Sequence, residues 1–157
     1  MSASTQPLKV GRMRPEDRDH VMTLAKSLTQ FFPEDVIGLI DTSLDKNEVL
    51  AGLMGDEVVA FLVYTKRDAQ TAEIVWMGVK EDYHGLGLGS LVLDHLEETL
   101  EEEGIQKLVA STLSYTVDYK PFEKVRTFYY HRGFQSLGTQ SNYYDDGMDR
   151  LILVKDL

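Results

Sequence analysis

From Ala72 the chain runs A-E-I-V-W-M-G-V-K, an apolar strand. It then crosses a glycine-rich stretch and sets Leu88, Leu91, Val92, Leu96 and Leu100 at helical spacing. This predicts a strand over Ala72 to Lys80 and a helix over about Leu86 to Glu103, capped by Gly104. Leu8 to Met13 suits a first strand. Pro15 with Glu16 and Asp17 opens a helix reaching about Phe32, and a second helix covers Asp35 to Leu44. Glu48 to Met54 and Glu57 to Lys66 flank Gly55-Asp56, a hairpin signal. Lys107 to Leu113 is the fifth strand and Phe122 to Arg132 the fourth helix. Two last strands, about Phe134 to Tyr143 and Arg150 to Lys155, are joined by the turn Tyr144-Asp145-Asp146-Gly147. No repeat, linker or low-complexity tract interrupts this order, so residues 1–157 read as a single α/β domain of about seven strands and four helices.

Composition narrows the function. At 157 residues and 43% hydrophobic, the chain can bury a sizeable core in one domain. No apolar run reaches membrane-spanning length, and Met1 to Pro7 lacks the charged and apolar regions of a secretory leader. The expectation is a soluble cytoplasmic protein with no membrane partner. The absence of cysteine excludes disulfides, thiolate metal sites and a cysteinyl acyl-enzyme. His20, His84, His95 and His131 lack metal-ligand spacing, so no metal is expected. A formal net charge of -10 argues against nucleic-acid binding, which wants a basic face, and is compatible with a cationic substrate. Much of that charge sits in Glu97, Glu98, Glu101, Glu102 and Glu103, read as the solvated outer face of the third helix.

The glycine-rich turn carries the chemistry. Gly85, Gly87 and Gly89 let backbone N–H groups approach an anion, and the positive end of the helix dipole faces the same point. A nucleoside-triphosphate loop needs G-x-x-x-x-G-K-S/T, which is absent. The Rossmann fingerprint is missed as well: the glycines run G-x-G-x-G, and the chain reads Val109-Ala110-Ser111 where the ribose-binding acid belongs. A tight connection without a ligand is the plainer alternative.

His84-Gly85-Leu86-Gly87-Leu88-Gly89 resembles motif A of the GNAT superfamily of acyl-CoA-dependent N-acyltransferases, written Q/R-x-x-G-x-G/A. The resemblance implies that Gly85, Leu86, Gly87, Leu88, Gly89 and Ser90 hold the pyrophosphate of coenzyme A and that acetyl-CoA is the cosubstrate. His84 stands where the family usually has Arg or Gln, which adds an imidazole's pH sensitivity. Val125 to Phe134, V-R-T-F-Y-Y-H-R-G-F, looks like motif B, with Gly133 ending its helix in a left-handed conformation. The resemblance covers nearly the whole chain. It implies a mixed sheet whose fourth and fifth strands are parallel neighbours that splay into a V-shaped slot for the pantetheine arm.

Acetyl transfer asks for three groups. An amine with a pKa of about 10 must lose a proton before attacking a thioester. Glu73 lies in an A-E-I-V run that looks like that of the histone-acetylating branch, where the glutamate is the general base; burial beside Ile74 and Trp76 would raise its pKa. The alternative is a simple ion pair with Lys66 or Arg67. The resemblance implies backbone donors for the developing oxyanion at Met77, Gly78 and Val79, and Tyr129 as proton donor to the leaving thiolate, with Tyr130 one position away. Arg126 is a candidate for the coenzyme phosphates or a helix cap. Phe122 stands where many members have an asparagine.

The resemblance implies that Thr29 to Asp35 and Tyr143 to Asp146 choose the acceptor; Phe31 and Phe32 equally suit a core and the aspartates a turn. The leading reading is acetyl transfer to the primary amine of a small molecule by direct attack in a ternary complex. A non-catalytic coenzyme-binding domain and a protein or peptide N-acetyltransferase are the alternatives. The sequence leaves room for a homodimer.

Overall fold

Seven strands are hydrogen-bonded in the order β1-β2-β3-β4-β5-β7-β6 in the computed structural model, which describes residues 7–144 and 147–157. They are β1 (Leu8–Arg12), β2 (Glu48–Met54), β3 (Glu57–Lys66), β4 (Thr71–Val79), β5 (Lys107–Leu113), β6 (Gln135–Gln140) and β7 (Arg150–Asp156). The four helices are α1 (Arg18–Ser27), α2 (Glu34–Lys46), α3 (Leu88–Glu102) and α4 (Pro121–His131). The mixed sheet with four helices is the expected architecture. The expected leaderless start over residues 1–6 and the turn aspartates Asp145 and Asp146 lie outside the described residues.

The described residues form two compact units, 7–65 with 76–99 and 66–75 with 100–144 and 147–157. In the first, β1 to β3 pair antiparallel, and Gly55 takes a positive φ of 60° in the β2–β3 turn that the sequence marks. Side chains alternate across β3, so Phe61 and Ala60 face opposite ways. Phe61 packs against Phe32, while Val92 of α3 lies on the face where Gly52 and Ala60 meet. This sandwich is why Val59, Phe61 and Val63 are fully buried. Helix α1 stops at Ser27 rather than near Phe32. Phe32 precedes Pro33, a position that disfavours helical backbone, and Pro33 is extended ahead of α2.

In the second unit, β5 pairs antiparallel with β7, and β7 with β6. The first residues of β4 run parallel to β5, and their register covers only Thr71–Glu73 against Lys107–Val109. So short a parallel ladder fits the expected splay. Strand β6 ends at Gln140, short of Tyr143, because its register slips between Ser136 and Gly138 and Asn142 turns the chain with a φ of 54°.

Both glycine caps read from the sequence are in place. Gly104 has a φ of 82°, and the Ile105 N–H reaches back to the Leu100 carbonyl at 2.9 Å. Gly133 has a φ of 93°, and the Phe134 N–H reaches the Tyr129 carbonyl at 3.0 Å. Each is a Schellman closure, which satisfies carbonyls the helix would leave open.

Candidate active site

The glycine loop belongs to the first unit. After β4 a short 3-10 turn, Glu81–Tyr83, leads into His84, and α3 begins at Leu88. Gly85 and Gly87 have φ values of 80° and 82°, a region that L side chains reach only with strain. A Cβ built on either would meet nothing within 4 Å. The glycines therefore serve backbone conformation and leave open space beside the loop. The first bond of the helical ladder runs from the Leu91 N–H to the Gly87 carbonyl at 3.2 Å. Ahead of it, the N–H groups of Leu88, Gly89 and Ser90 stand at the positive end of α3, whose first turn carries no acidic side chain. Leu88 turns its side chain into the core, whereas Leu86 is exposed. These residues fit a pyrophosphate: amides in series, positive φ at two glycines, open space beside them and no acidic side chain in the first turn of α3.

His84 has a defined role in that loop. Its Nε2 lies 2.6 Å from the Val79 carbonyl oxygen, which can only accept, so Nε2 carries the hydrogen. Phe31 meets the imidazole edge-on at 6.1 Å between centroids. Phe32 is a core residue: it is buried and meets the Trp76 ring edge-on. Gly78 is the most confined position of the Met77 to Val79 stretch. A Cβ there would come within 2.8 Å of both Leu28 Cδ1 and Phe61 Cε1.

The second unit holds Glu73, Arg126 and Tyr129. Glu73 is buried, but not against Ile74 and Trp76 as the sequence reading expected. Strand alternation sends those two side chains to the other face of β4, and the Trp76 indole N–H bonds the Ser43 hydroxyl. The Glu73 carboxylate is instead held by two guanidinium groups. Oε1 takes a charge-assisted hydrogen bond from Arg67, and Oε2 lies 3.4 Å from Arg150 Nη2. Lys66, the other partner considered, pairs with Glu103 at 2.9 Å.

Arg150 is the residue that sequence reasoning missed. Its Nε donates to Ser111 Oγ at 2.9 Å, its Nη1 to Gln140 Oε1 at 3.1 Å, and its guanidinium carbon sits 4.3 Å from the centre of the Tyr143 ring. An arginine opening a strand after a turn reads as solvent-facing. Only the β5–β7 register, which sets Arg150 opposite Leu113, brings it beside Ser111 and Glu73.

Tyr129 is buried, with Phe128 and Phe134 edge-on at 5.4 and 5.1 Å, while Tyr130 is exposed. Burial pushes the Tyr129 phenol well above its ordinary pKa of 10.0, so it keeps its proton. Glu73 and Tyr129 share no hydrogen bond. Arg126 lies in the middle of α4 and caps neither end; its Nη1 donates to the Leu113 carbonyl at 2.9 Å, tying α4 to the end of β5.

Among the described residues no group of three or more His, Cys, Asp or Glu side chains is arranged to hold a metal ion, and no helix is long and apolar enough to cross a membrane. A model of the Acetyltransferase (GNAT) family matches residues 19–134. No curated protein sequence matches the chain significantly. Solved structures share the fold at low identity. A GNAT family acetyltransferase from Elizabethkingia anophelis with acetyl-CoA bound superposes with a TM-score of 0.74 at 20% identity, covering 96% of this chain and 98% of that one. The ribosomal-protein-S18-alanine N-acetyltransferase from Escherichia coli gives 0.77 at 18%, covering 96% and 94%. The aminoglycoside 6'-N-acetyltransferase from Enterococcus faecium gives 0.73 at 15%, covering 94% and 96%.

Proposed function

The chain belongs to the acetyltransferase (GNAT) family, and from that premise we propose that it moves acetyl from acetyl-CoA to the primary amine of a small molecule by direct attack in a ternary complex. The observation that carries this reading is the loop from His84 to Ser90. Two positive-φ glycines with open space beside them lead directly into the three leading amides of α3, an arrangement that suits a pyrophosphate.

In the reaction the amine nitrogen, once neutral, attacks the thioester carbonyl carbon. The carbon–sulfur bond breaks, the nitrogen gives up one proton and the thiolate takes one. Glu73 is the acceptor of the amine's proton in this reading, and Tyr129 the donor to sulfur. The high pKa of the buried phenol means that it gives its proton only as sulfur takes on charge, and regains it from solvent afterwards. Backbone N–H groups of Met77 to Val79 are the proposed donors to the oxyanion.

The acceptor is open at the level of the fold, since the structural neighbours include an aminoglycoside acetyltransferase and a ribosomal-protein acetyltransferase. One observation favours a second reading, a coenzyme-binding domain without turnover: both oxygens of Glu73 are engaged by arginines, so the base is masked in the free protein. Thermal melting with acetyl-CoA, NADH and ATP tests the coenzyme half of the reading. A ligand that binds only the folded state raises the melting temperature. A shift with acetyl-CoA and none with NADH supports it; the reverse means that the glycine loop binds something else.

A further inference from the structure

The second unit sets two guanidinium groups against a single carboxylate, and the two are held very differently. Arg150 is fixed by Ser111, Gln140 and the face of Tyr143, and its side chain is 14% exposed. Arg67 is 59% exposed, and among the described residues its guanidinium is engaged through Glu73 alone. A guanidinium has five N–H donors in a planar fork, so the exposed Arg67 keeps donors that a second anion can reach, while Arg150 has three of its five committed and lies largely out of solvent. The cluster of Arg67, Arg150 and Glu73 therefore carries one excess positive charge in a chain whose formal net charge is -10.

We propose that Arg67 is the docking point for an anionic group on the acceptor, so that the preferred substrate is an amine carrying a carboxylate a few bonds from its nitrogen. This inference rests on the acetyl-transfer reading and names its substrate class. A zwitterion exchanges partners without stranding a charge. Its carboxylate takes the free fork of Arg67, its ammonium takes Glu73 Oε1, and Arg150 keeps hold of Oε2. A buried carboxylate that loses one cation is costly unless another replaces it, and the incoming ammonium is that replacement. The same exchange unmasks Glu73 at the moment a substrate proton arrives, which relates the paired carboxylate of the free protein to a base in the complex.

The overall acidity of the chain points toward cationic acceptors, but that field is screened over about 8 Å at physiological salt. At contact range the excess charge of this cluster is positive. A polyamine has no group for Arg67 and would compete with it for Glu73.

Matched acceptors test the proposal: amino acids against their carboxamides, with acetyl-CoA saturating and thiol release followed. The carboxamides have the more readily deprotonated amine, so any preference for the acid runs against intrinsic reactivity. The wild type is expected to favour the acid by about tenfold in kcat/KM, mostly through KM, as the loss of a charge-assisted hydrogen bond implies. Arg67→Gln should bring the ratio close to one, and Arg67→Lys should keep part of it. Equal use of both acceptors by the wild type, or an unchanged ratio in Arg67→Gln, overturns the proposal while leaving acetyl transfer intact. Failure to turn over any amine despite acetyl-CoA binding overturns the acetyl-transfer reading, and this proposal with it.

Discussion

Nε2 of His84 lies 2.6 Å from the carbonyl oxygen of Val79, so the residue that opens the glycine loop is bonded to the last residue of the strand that feeds it. A neutral Nε2–H tautomer and an imidazolium both donate this bond, so protonation of His84 does not release the loop. His84→Ala removes the tie. Isothermal titration should find acetyl-CoA binding weakened by roughly three- to tenfold, the worth of one hydrogen bond, with little change in kcat. His84→Gln, which restores an N–H donor, should recover part of the loss. Unchanged affinity in His84→Ala would separate this bond from the coenzyme site.

Glycines that look alike in sequence should respond differently to alanine. At Gly78 the new methyl would press on Phe61, which is fully buried and has nowhere to go; Gly78→Ala should cost about 1–3 kcal/mol in urea unfolding. At Gly87 there is open space, and the cost of about 1–2 kcal/mol comes from the positive φ alone. Adding acetyl-CoA should therefore stabilise Gly78→Ala about as much as the wild type, whereas Gly87→Glu, which sets a carboxylate at the loop, should lose that stabilisation.

Tyr129 and Tyr130 adjoin in sequence but not in environment. Tyr129→Phe should lower kcat by roughly 100-fold with little effect on KM for acetyl-CoA, as removal of a proton donor used in the transition state does. Tyr130→Phe should be nearly silent. The raised phenol pKa also bears on stability: the folded state holds this proton more tightly than the unfolded chain, so its contribution is complete below pH 10 and fades as pH rises beyond. Alkaline melts of the wild type should fall more steeply above pH 10 than those of Tyr129→Phe. An inert Tyr129→Phe beside an inactive Tyr130→Phe would transfer the donor role to Tyr130.

Much of this is legible in the sequence. Strands β2, β3 and β5 have the bounds their apolar runs predict, and the caps at Gly104 and Gly133 follow from glycine's access to positive φ. The glycine loop was legible for the same reason, since few residues allow two left-handed turns within three positions. What sequence could not give was side-chain partnership over distance. Arg67 is near enough to Glu73 along the chain to be considered, but Arg150 lies 77 residues away and meets Glu73 only through the β5–β7 register. The expected apolar setting of Glu73 failed because a strand's neighbours in sequence lie on its opposite face.

Asp17 gives a pH-dependent check on the first unit. It is buried, and the hydrogen bond from the Arg14 side chain holds its carboxyl below the ordinary 3.8, against the opposing effect of burial. Its contribution is present above that value and disappears as pH falls through the folded-state pKa. Asp17→Asn should melt lower than the wild type at pH 7, and the gap should narrow as pH falls below 3.8. A gap that does not narrow in acid would trace the effect to packing instead of charge.

The proposal with most at stake is that this protein hands acetyl from acetyl-CoA to the primary amine of a small molecule. The direct measurement is free-thiol release from acetyl-CoA by purified protein against a panel of small primary amines and a basic histone-like peptide, with the acetylated product identified by mass. Turnover is expected with at least one small amine, with a mass gain of one acetyl group on its nitrogen and little release with the peptide alone. Acetyl-CoA binding with no release across the small amines, or robust acetylation of the peptide and of nothing else, would contradict it.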